Sequence, residues 1–267
     1  MKILVTSDIH ARMDWFTWLS AQENDLTVVA GDLLDGLSKV GTLPQMLAIL
    51  KWCNGFPGLL ALCSGNHDSN DDAMDYKLGF EAFAALSEDK KDAISKITKS
   101  KHWMDSLSRP SVVTDRRTEI LETPSGKIIV TTIPYSFMAE PDPISASLWE
   151  AGATLRNKTG APWVVLHHDP PIETKVGGYC GDGNLFYRIR HWKPNYLFSG
   201  HHHAQPYHGS FLDRLAGTWL FNPGYPDERL AKNECVPNHI ILDLAAGRAT
   251  WHASSPGGKI VETRNLK

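Results

Sequence analysis

Five short apolar runs in this chain of 267 residues each end in a cluster of Asp, Asn or His, and that repeated layout constrains the fold more than any other feature. The segments are KILVTSDIH ending at His10, DLTVVAGDLLD ending at Asp35, GLLALCSGNHD ending at Asp68, WVVLHHD ending at Asp169 and YLFSGHHH ending at His203. Runs this short, rich in Val, Ile and Leu, suit strands buried on both faces, as in a parallel sheet covered by helices. Helical patterns lie between them. Residues 13 to 23 carry Trp15, Phe16, Trp18 and Leu19, and residues 43 to 53 place Leu43, Met46, Leu47 and Leu50 at helical spacing. Thr42 and Gln45 have the spacing of a capping box, with Pro44 in the first turn. Strand, helix, strand, helix implies an α/β layered fold.

From Ser69 to about Pro110 the pattern becomes a long polar helical stretch, with Ile94, Ile97 and Met104 on one face and lysines alternating with acids on the other. It reads as a helical insertion with a solvated face. A hairpin signal follows, TEILETPSGKIIVTTI, turning at Pro124 to Lys127. WLFNPGYP, HIILDL and TWHA read as further β structure. The expected architecture is one domain over residues 1–267, a layered αββα-type sandwich of two mixed β-sheets flanked by helices, with the insertion at about 69–110.

The formal net charge of −3 argues against non-specific grip on nucleic acid, which relies on clustered Lys and Arg. No apolar stretch approaches the ~20 residues that a membrane helix needs, and Met1-Lys2 runs straight into a strand pattern. A cytoplasmic protein without an export signal is expected. Cys53, Cys63, Cys180 and Cys235 form no C-x-x-C pair, so neither a disulfide framework nor a Cys-type zinc site is indicated.

In an α/β fold, residues just past the C-terminal ends of parallel strands converge on one crevice. The five clusters pool Asp8, His10, Asp32, Asp35, Asn66, His67, His167, His168, His201, His202 and His203 there. Imidazole, carboxylate and amide oxygen without thiolate suit Mn, Fe, Co, Ni or Zn. More than four ligands is too many for one tetrahedral ion; two ions about 3.5–4 Å apart, sharing a carboxylate, are the natural solution.

These segments resemble the calcineurin-like metallophosphoesterases, whose pattern runs Asp-x-His, Gly-Asp-x-x-Asp, Gly-Asn-His-Asp or -Glu, a His after a strand, then Gly-His-x-His. Here they read DIH at 8–10, GDLLD at 31–35, GNHD at 65–68, HH at 167–168 and GHHH at 200–203, in family order. The resemblance implies that Asp8, His10, Asp32 and His203 hold one ion, and that Asp32 bridges to a second completed by Asn66, His167 and His201. It also implies that His67 aids the leaving group, that Asp35 orients His67, and that a metal-bridging hydroxide attacks a small phosphodiester or phosphomonoester in line. A nucleotide or cyclic nucleotide is among the candidate substrates. His202, the x of Gly-His-x-His, is expected to point elsewhere, because alternate side chains of extended chain project the same way. Asp8 and His10 share that spacing.

Weaker signals surround the set. Arg12, His168 and Asn184 are candidate substrate contacts, Asn184 standing in the glycine-rich loop VGGYCGDGN at 176–184. Tyr135, Trp15 and Trp18 are expected in the core. Gly36 follows Asp35 where the family's protein phosphatases have Arg-Gly, and Asp169 is inserted between His167-His168 and Pro170-Pro171. A nuclease and a non-catalytic metal-binding scaffold of the same fold are the alternatives.

Overall fold

The first strand, β1 (Lys2–Thr6), feeds two apolar layers at once: Ile3 and Val5 enter one, Leu4 the other. The same alternation holds in β3 (Leu60–Cys63), where Leu60 and Leu62 face one layer and Ala61 and Cys63 the other. That two-sided burial is why these segments read as unbroken apolar runs. The computed structural model describes residues 1–39, 41–68, 87–99, 102–107, 109–135, 143–226 and 236–266.

Among the described residues the strands form two mixed sheets. The seven-stranded sheet runs β13 (Gly258–Asn265), β12 (Arg248–Ser255), β11 (His239–Asp243), β1, β2 (Leu26–Ala30), β3 and β4 (Val112–Val113). The six-stranded sheet runs β5 (Arg117–Thr123), β6 (Gly126–Thr132), β7 (Trp163–Leu166), β8 (Tyr196–Phe198), β10 (Thr218–Phe221) and β9 (Leu212–Leu215). Strands β1 to β4 are parallel, as are β6, β7, β8 and β10. Antiparallel strands extend both sheets, and β11 pairs with β1 through Leu4 and Ile241.

Three apolar cores separate four layers. Val28, Ala61, Val164, Phe198 and Phe221 meet between the sheets. Leu4, Val29 and Leu62 pack outward on α1 (Met13–Ser20), α2 (Thr42–Gly55) and α3 (Glu88–Lys99) through Phe16, Met46, Ile49 and Ile94. On the far side Ile129, Val165 and Leu197 pack on α4 (Pro143–Thr159) and α5 (Gly183–Trp192) through Trp149, Leu185 and Ile189. Each fully buried aliphatic or aromatic side chain contributes ~1.5–3 kcal/mol. The layering is thus αββα, as the sequence implies.

Two local readings differ. No side chain caps α2: its N-cap is Gly41, Thr42 Oγ1 is buried without a partner, and the Gln45 amide turns to the backbone of Asp35. Of the expected insertion, residues 69–86 lie outside the described residues. Ile94 and Ile97 pack into the core from α3, while Met104 belongs to a separate 3₁₀ turn, Trp103–Ser106. The hairpin between β5 and β6 closes between Thr123 and Gly126 as expected. Among the described residues, no helix is long and apolar enough to cross a membrane.

Candidate metal centre

The loops after β1 and β2 keep pairing beyond the strands, with amide-to-carbonyl bonds from Asp8 to Gly31 (3.0 Å), His10 to Asp32 (2.9 Å) and Ala11 to Leu33 (2.7 Å). Asp8, His10, Asp32 and His201 all take left-handed backbone, at φ of 54°, 47°, 50° and 62°. That conformation costs a non-glycine residue ~1–2 kcal/mol and persists where surrounding bonds over-determine it. Here the amide of His201 donates to both carboxylate oxygens of Asp8 at 3.2 Å, and the amide of His67 donates to Asp32 Oδ1 at 2.9 Å. The two-residue spacings therefore do not work by strand alternation, as expected from sequence. Strands β1 and β8 have already ended at Thr6 and Phe198, and left-handed turns aim the side chains.

The donors converge in two overlapping groups. A ligand atom from each of Asp8, His10, Asp32 and His203 lies within 4.8 Å of the others, and His203 Nε2 is 3.0 Å from Asp8 Oδ1. Beside them Asn66 Oδ1 meets His201 Nδ1 at 2.9 Å and His168 Nε2 at 3.1 Å, while His168 Nε2 also stands 3.4 Å from Asp32 Oδ2. Asp32 borders both groups.

His167, the expected ligand, is not in either. Its Nε2 lies 3.5 Å from Asp182 Oδ2, and its Nδ1 faces the carbonyl of Ile133 at 3.4 Å. The cause is the pleat of β7: Val165 faces the outer helical layer and Leu166 the layer between the sheets, so His167 follows Val165 outward and His168 follows Leu166 inward. His168, expected as a substrate contact, stands among the donors instead.

The electrostatics ask for cations. His168 Nδ1 faces the Ala30 carbonyl at 2.7 Å, which places a proton there and turns Nε2 toward oxygens of Asn66, Asp32 and Asp8. Burial alone would lower the His168 pKa, yet the charges of Asp32 and Asp8 raise it to about 10. Burial likewise opposes ionisation of Asp8 and Asp32, but the surrounding histidines, His203 and His168 foremost, hold both below the usual carboxylate range. Two carboxylates with exposures of 0% and 2% need compensating positive charge, and divalent ions fit this donor set. The glycines of the motifs admit the crowding. A Cβ on Gly65 would lie 2.1 Å from Asp32 Oδ1, and one on Gly31, at φ 89°, would lie 2.2 Å from His168 Nδ1.

Asp68 holds the loops together, a role the sequence reading missed. Its carboxylate accepts from the amides of Leu33 (3.1 Å), Leu34 (2.8 Å) and Gly65 (2.8 Å), and its carbonyl accepts from Trp103 Nε1 at 3.1 Å. The signal was its place as last residue of Gly-Asn-His-Asp. His67 stands beside His10, ring centroids 5.0 Å apart, and its Nδ1 accepts the Gly36 amide at 3.1 Å. The Asp35 carboxylate accepts from Leu37 instead, at 3.0 Å, although ligand atoms of His10, Asp35 and His67 lie within 4.8 Å of one another. The orienting bond on His67 is thus a backbone amide, which leaves Nε2 as the proton-bearing atom of the neutral ring.

The remaining candidates spread outward. His202, expected to point elsewhere, stays beside His201, ring centroids 5.2 Å apart, and its Nε2 lies 3.7 Å from Asp169 Oδ1, with ligand atoms of Asp169, His201 and His202 within 4.8 Å of one another. Arg12 pairs with Asp14 at 2.7 Å and lies over the Trp15 ring. Asn184 is exposed in the first turn of α5 and makes no hydrogen bond to the donors among the described residues. Trp15 is in the core and Trp18 packs against it, but half-buried Tyr135 borders the site, 5.7 Å from the His168 ring and 5.9 Å from that of His201. Tyr225, unmarked in the sequence, packs on His203 at 4.9 Å and His10 at 5.4 Å.

The sequence profile of the calcineurin-like phosphoesterases matches residues 1–205, a span that contains every donor described above. The chain belongs to that family. The purple acid phosphatase PPD1 of yellow lupin (Lupinus luteus) seeds shares the fold at TM-score 0.51 and 9% identity, covering 99% of this chain and 54% of that one. The NAD nucleotidase NadN of Haemophilus influenzae aligns at TM-score 0.49 and 12% identity over 99% of this chain and 49% of that one. YfkN of Bacillus subtilis, a calcineurin-like phosphoesterase, aligns at TM-score 0.46 and 15% identity over 100% and 90%. The phosphoesterase spans about half the length of the first two. No curated protein matches the chain.

Proposed function

We propose that the protein hydrolyses a small phosphodiester or phosphomonoester, a nucleotide or cyclic nucleotide among them, at a pair of divalent ions. The observation that carries the reading is Asp32, a buried carboxylate bordering both donor groups with histidine and amide donors on each side. Asp8, His10, Asp32 and His203 would hold one ion; Asp32, Asn66, His168 and His201 would hold the other. When bound, such ions supply charge neutralisation for the phosphoryl oxygens and an acidified water for attack.

The rest of the chemistry falls to the chain. His67, held through Nδ1 by the Gly36 amide, presents Nε2 toward the departing oxygen and stabilises its charge by hydrogen bonding. Asp35 steadies the neighbouring loop, its carboxylate accepting the Leu37 amide at 3.0 Å with a ligand atom within 4.8 Å of one on the His67 ring. The bent loops after β1, β2 and β3 come pre-formed, so little reorganisation accompanies the reaction.

The test is hydrolysis of p-nitrophenyl phosphate and bis(p-nitrophenyl) phosphate by protein loaded with Mn, Fe, Zn, Co or Ni. Turnover is expected, and His67→Ala is expected to lower kcat by ~10²–10⁴ at unchanged metal content. No turnover of either ester by protein that retains its metal overturns the proposal. A His67→Ala variant as active as wild type removes His67 from it.

A further inference from the structure

A cavity of about 430 Å³ opens beside the donors, lined by His203, Tyr207, His208, Tyr225, Ser255 and Pro256 among others. We propose that it seats the leaving group of the ester and selects a neutral alcohol bearing a planar ring, an inference that rests on the phosphoesterase reading above.

Continuity with the donors is the first argument. His203 reaches Asp8 through Nε2 at 3.0 Å and also lines the cavity, so an ester whose phosphoryl group lies on the donors has the cavity alongside. Tyr225 touches both His203 and His10, and His10 touches His67, which makes one run of rings from the leaving-group histidine to the cavity wall. The volume lies within the ~300–1,000 Å³ usual for small-molecule sites.

The character of the walls is the second. Tyr207, on the one-turn helix Gln205–His208, is fixed at its hydroxyl, which donates to the Ser254 carbonyl at 2.8 Å and accepts from Asn238 Nδ2 at 2.7 Å. Its ring rests on Trp251 at 5.3 Å. Tyr225 is held by its amide, which donates to the His203 carbonyl at 3.1 Å, and by the Trp15 ring at 5.7 Å. Aromatic and proline surfaces that are already immobile can stack a flat ring without ordering side chains, whereas a flexible alkyl group would lose its own freedom there. Among the described residues the lining contains no Lys, Arg, Asp or Glu, so a second phosphate or other charged group meets no opposite charge there. In the reaction the oxygen of water bonds to phosphorus, the ester P–O bond breaks, and a proton given up by that water ends on the departing oxygen, so the ring leaves as its neutral alcohol.

Adenosine 5′-phosphate and ribose 5-phosphate test the idea, since both are esters of a primary sugar alcohol and differ in the ring. The metal-loaded wild type is expected to show about tenfold higher kcat/KM for the former, carried by KM, from stacking and apolar burial. Ser255→Trp, which narrows the cavity from a wall residue that is not one of the donors, is expected to erase that preference and leave ribose 5-phosphate turnover unchanged. Adenosine alone, followed by saturation-transfer NMR on metal-free protein, is expected to bind wild type and not the variant. Ser255→Phe repeats the comparison if the Trp variant misfolds. Equal kcat/KM for the two esters, or adenosine binding that survives in the variant, overturns the inference. Turnover of p-nitrophenyl esters alongside those results leaves the phosphoesterase reading standing. Loss of all turnover with adenosine binding intact in wild type alone sinks that reading and keeps the ring site.

Discussion

His168 is bonded from Nδ1 to the backbone carbonyl of Ala30 at 2.7 Å, and this one contact stitches the end of β7 in the second sheet to the end of β2 in the first. The bond fixes the tautomer and aims Nε2 into the donor set, the arrangement that metal-binding histidines commonly use. His168→Ala is therefore expected to weaken binding of one of the two ions by at least about 100-fold, since it removes a ligand and not only its support. His167→Ala is expected to leave metal content at the wild-type level. Equilibrium dialysis with elemental analysis separates the two, and equal losses would show that the pleat of β7 has been misread.

Gly65→Ala is expected to destabilise the protein by about 2–3 kcal/mol and to lower its metal content, because the added methyl collides with both the backbone and the carboxylate of Asp32. Urea unfolding gives the first quantity and elemental analysis the second. A variant with wild-type midpoint and full metal would mean that the loops yield more than their hydrogen bonds suggest.

Gln45 is buried, and its amide spans the backbone of Asp35, accepting from the amide at 2.8 Å and donating to the carbonyl at 3.1 Å. Gln45→Met keeps the volume and deletes both bonds. The expected loss is about 2 kcal/mol at roughly 1 kcal/mol per bond, together with a lower kcat at unchanged metal content as the Asp35 loop loosens. Unfolding curves and steady-state kinetics check it, and unchanged kcat would detach that loop from catalysis.

His239 is 8% exposed and stacked on His252 across β11 and β12 at 4.7 Å and 5°. Burial lowers its pKa from 6.5 to about 4, so the folded state resists a proton that the unfolded chain accepts. The sign follows: stability is full above pH 6.5 and falls as pH drops toward about 4, by about 3 kcal/mol from this group. His239→Asn, whose amide can replace Nδ1 as donor to the Pro237 carbonyl, is expected to flatten that limb. Melting temperatures from pH 7 to 4 measure it, and an unaltered slope would move the effect to other groups.

What was readable before folding, and what was not, divides along range. Strand positions, the αββα layering and most donors follow from local chemistry: two-sided burial writes an apolar run, and a polar cluster where the run stops marks a loop at a strand end. Asp8, His10, Asp32, Asn66, His201 and His203 were assigned that way, aided by motif order, and the fold brings all of them together. Cross-strand decisions were not readable. Choosing between His167 and His168 needs the face of β7 that looks toward the other sheet, and recognising Asp68 needs the loop after β2 lying within reach of its carboxylate.

The amino-acid sequence by itself determined which kinds of donor atom are available, in what order, and that they end strands of a layered α/β sandwich, because those properties belong to segments of a few residues. Only the tertiary structure decided which histidine of the pair at 167 and 168 turns inward, that a backbone amide of Gly36 and not the Asp35 carboxylate bonds to His67, and that Tyr225 and Tyr207 wall a cavity beside His203. Each of those outcomes depends on the distance between atoms far apart along the chain, and packing of the two sheets sets that distance.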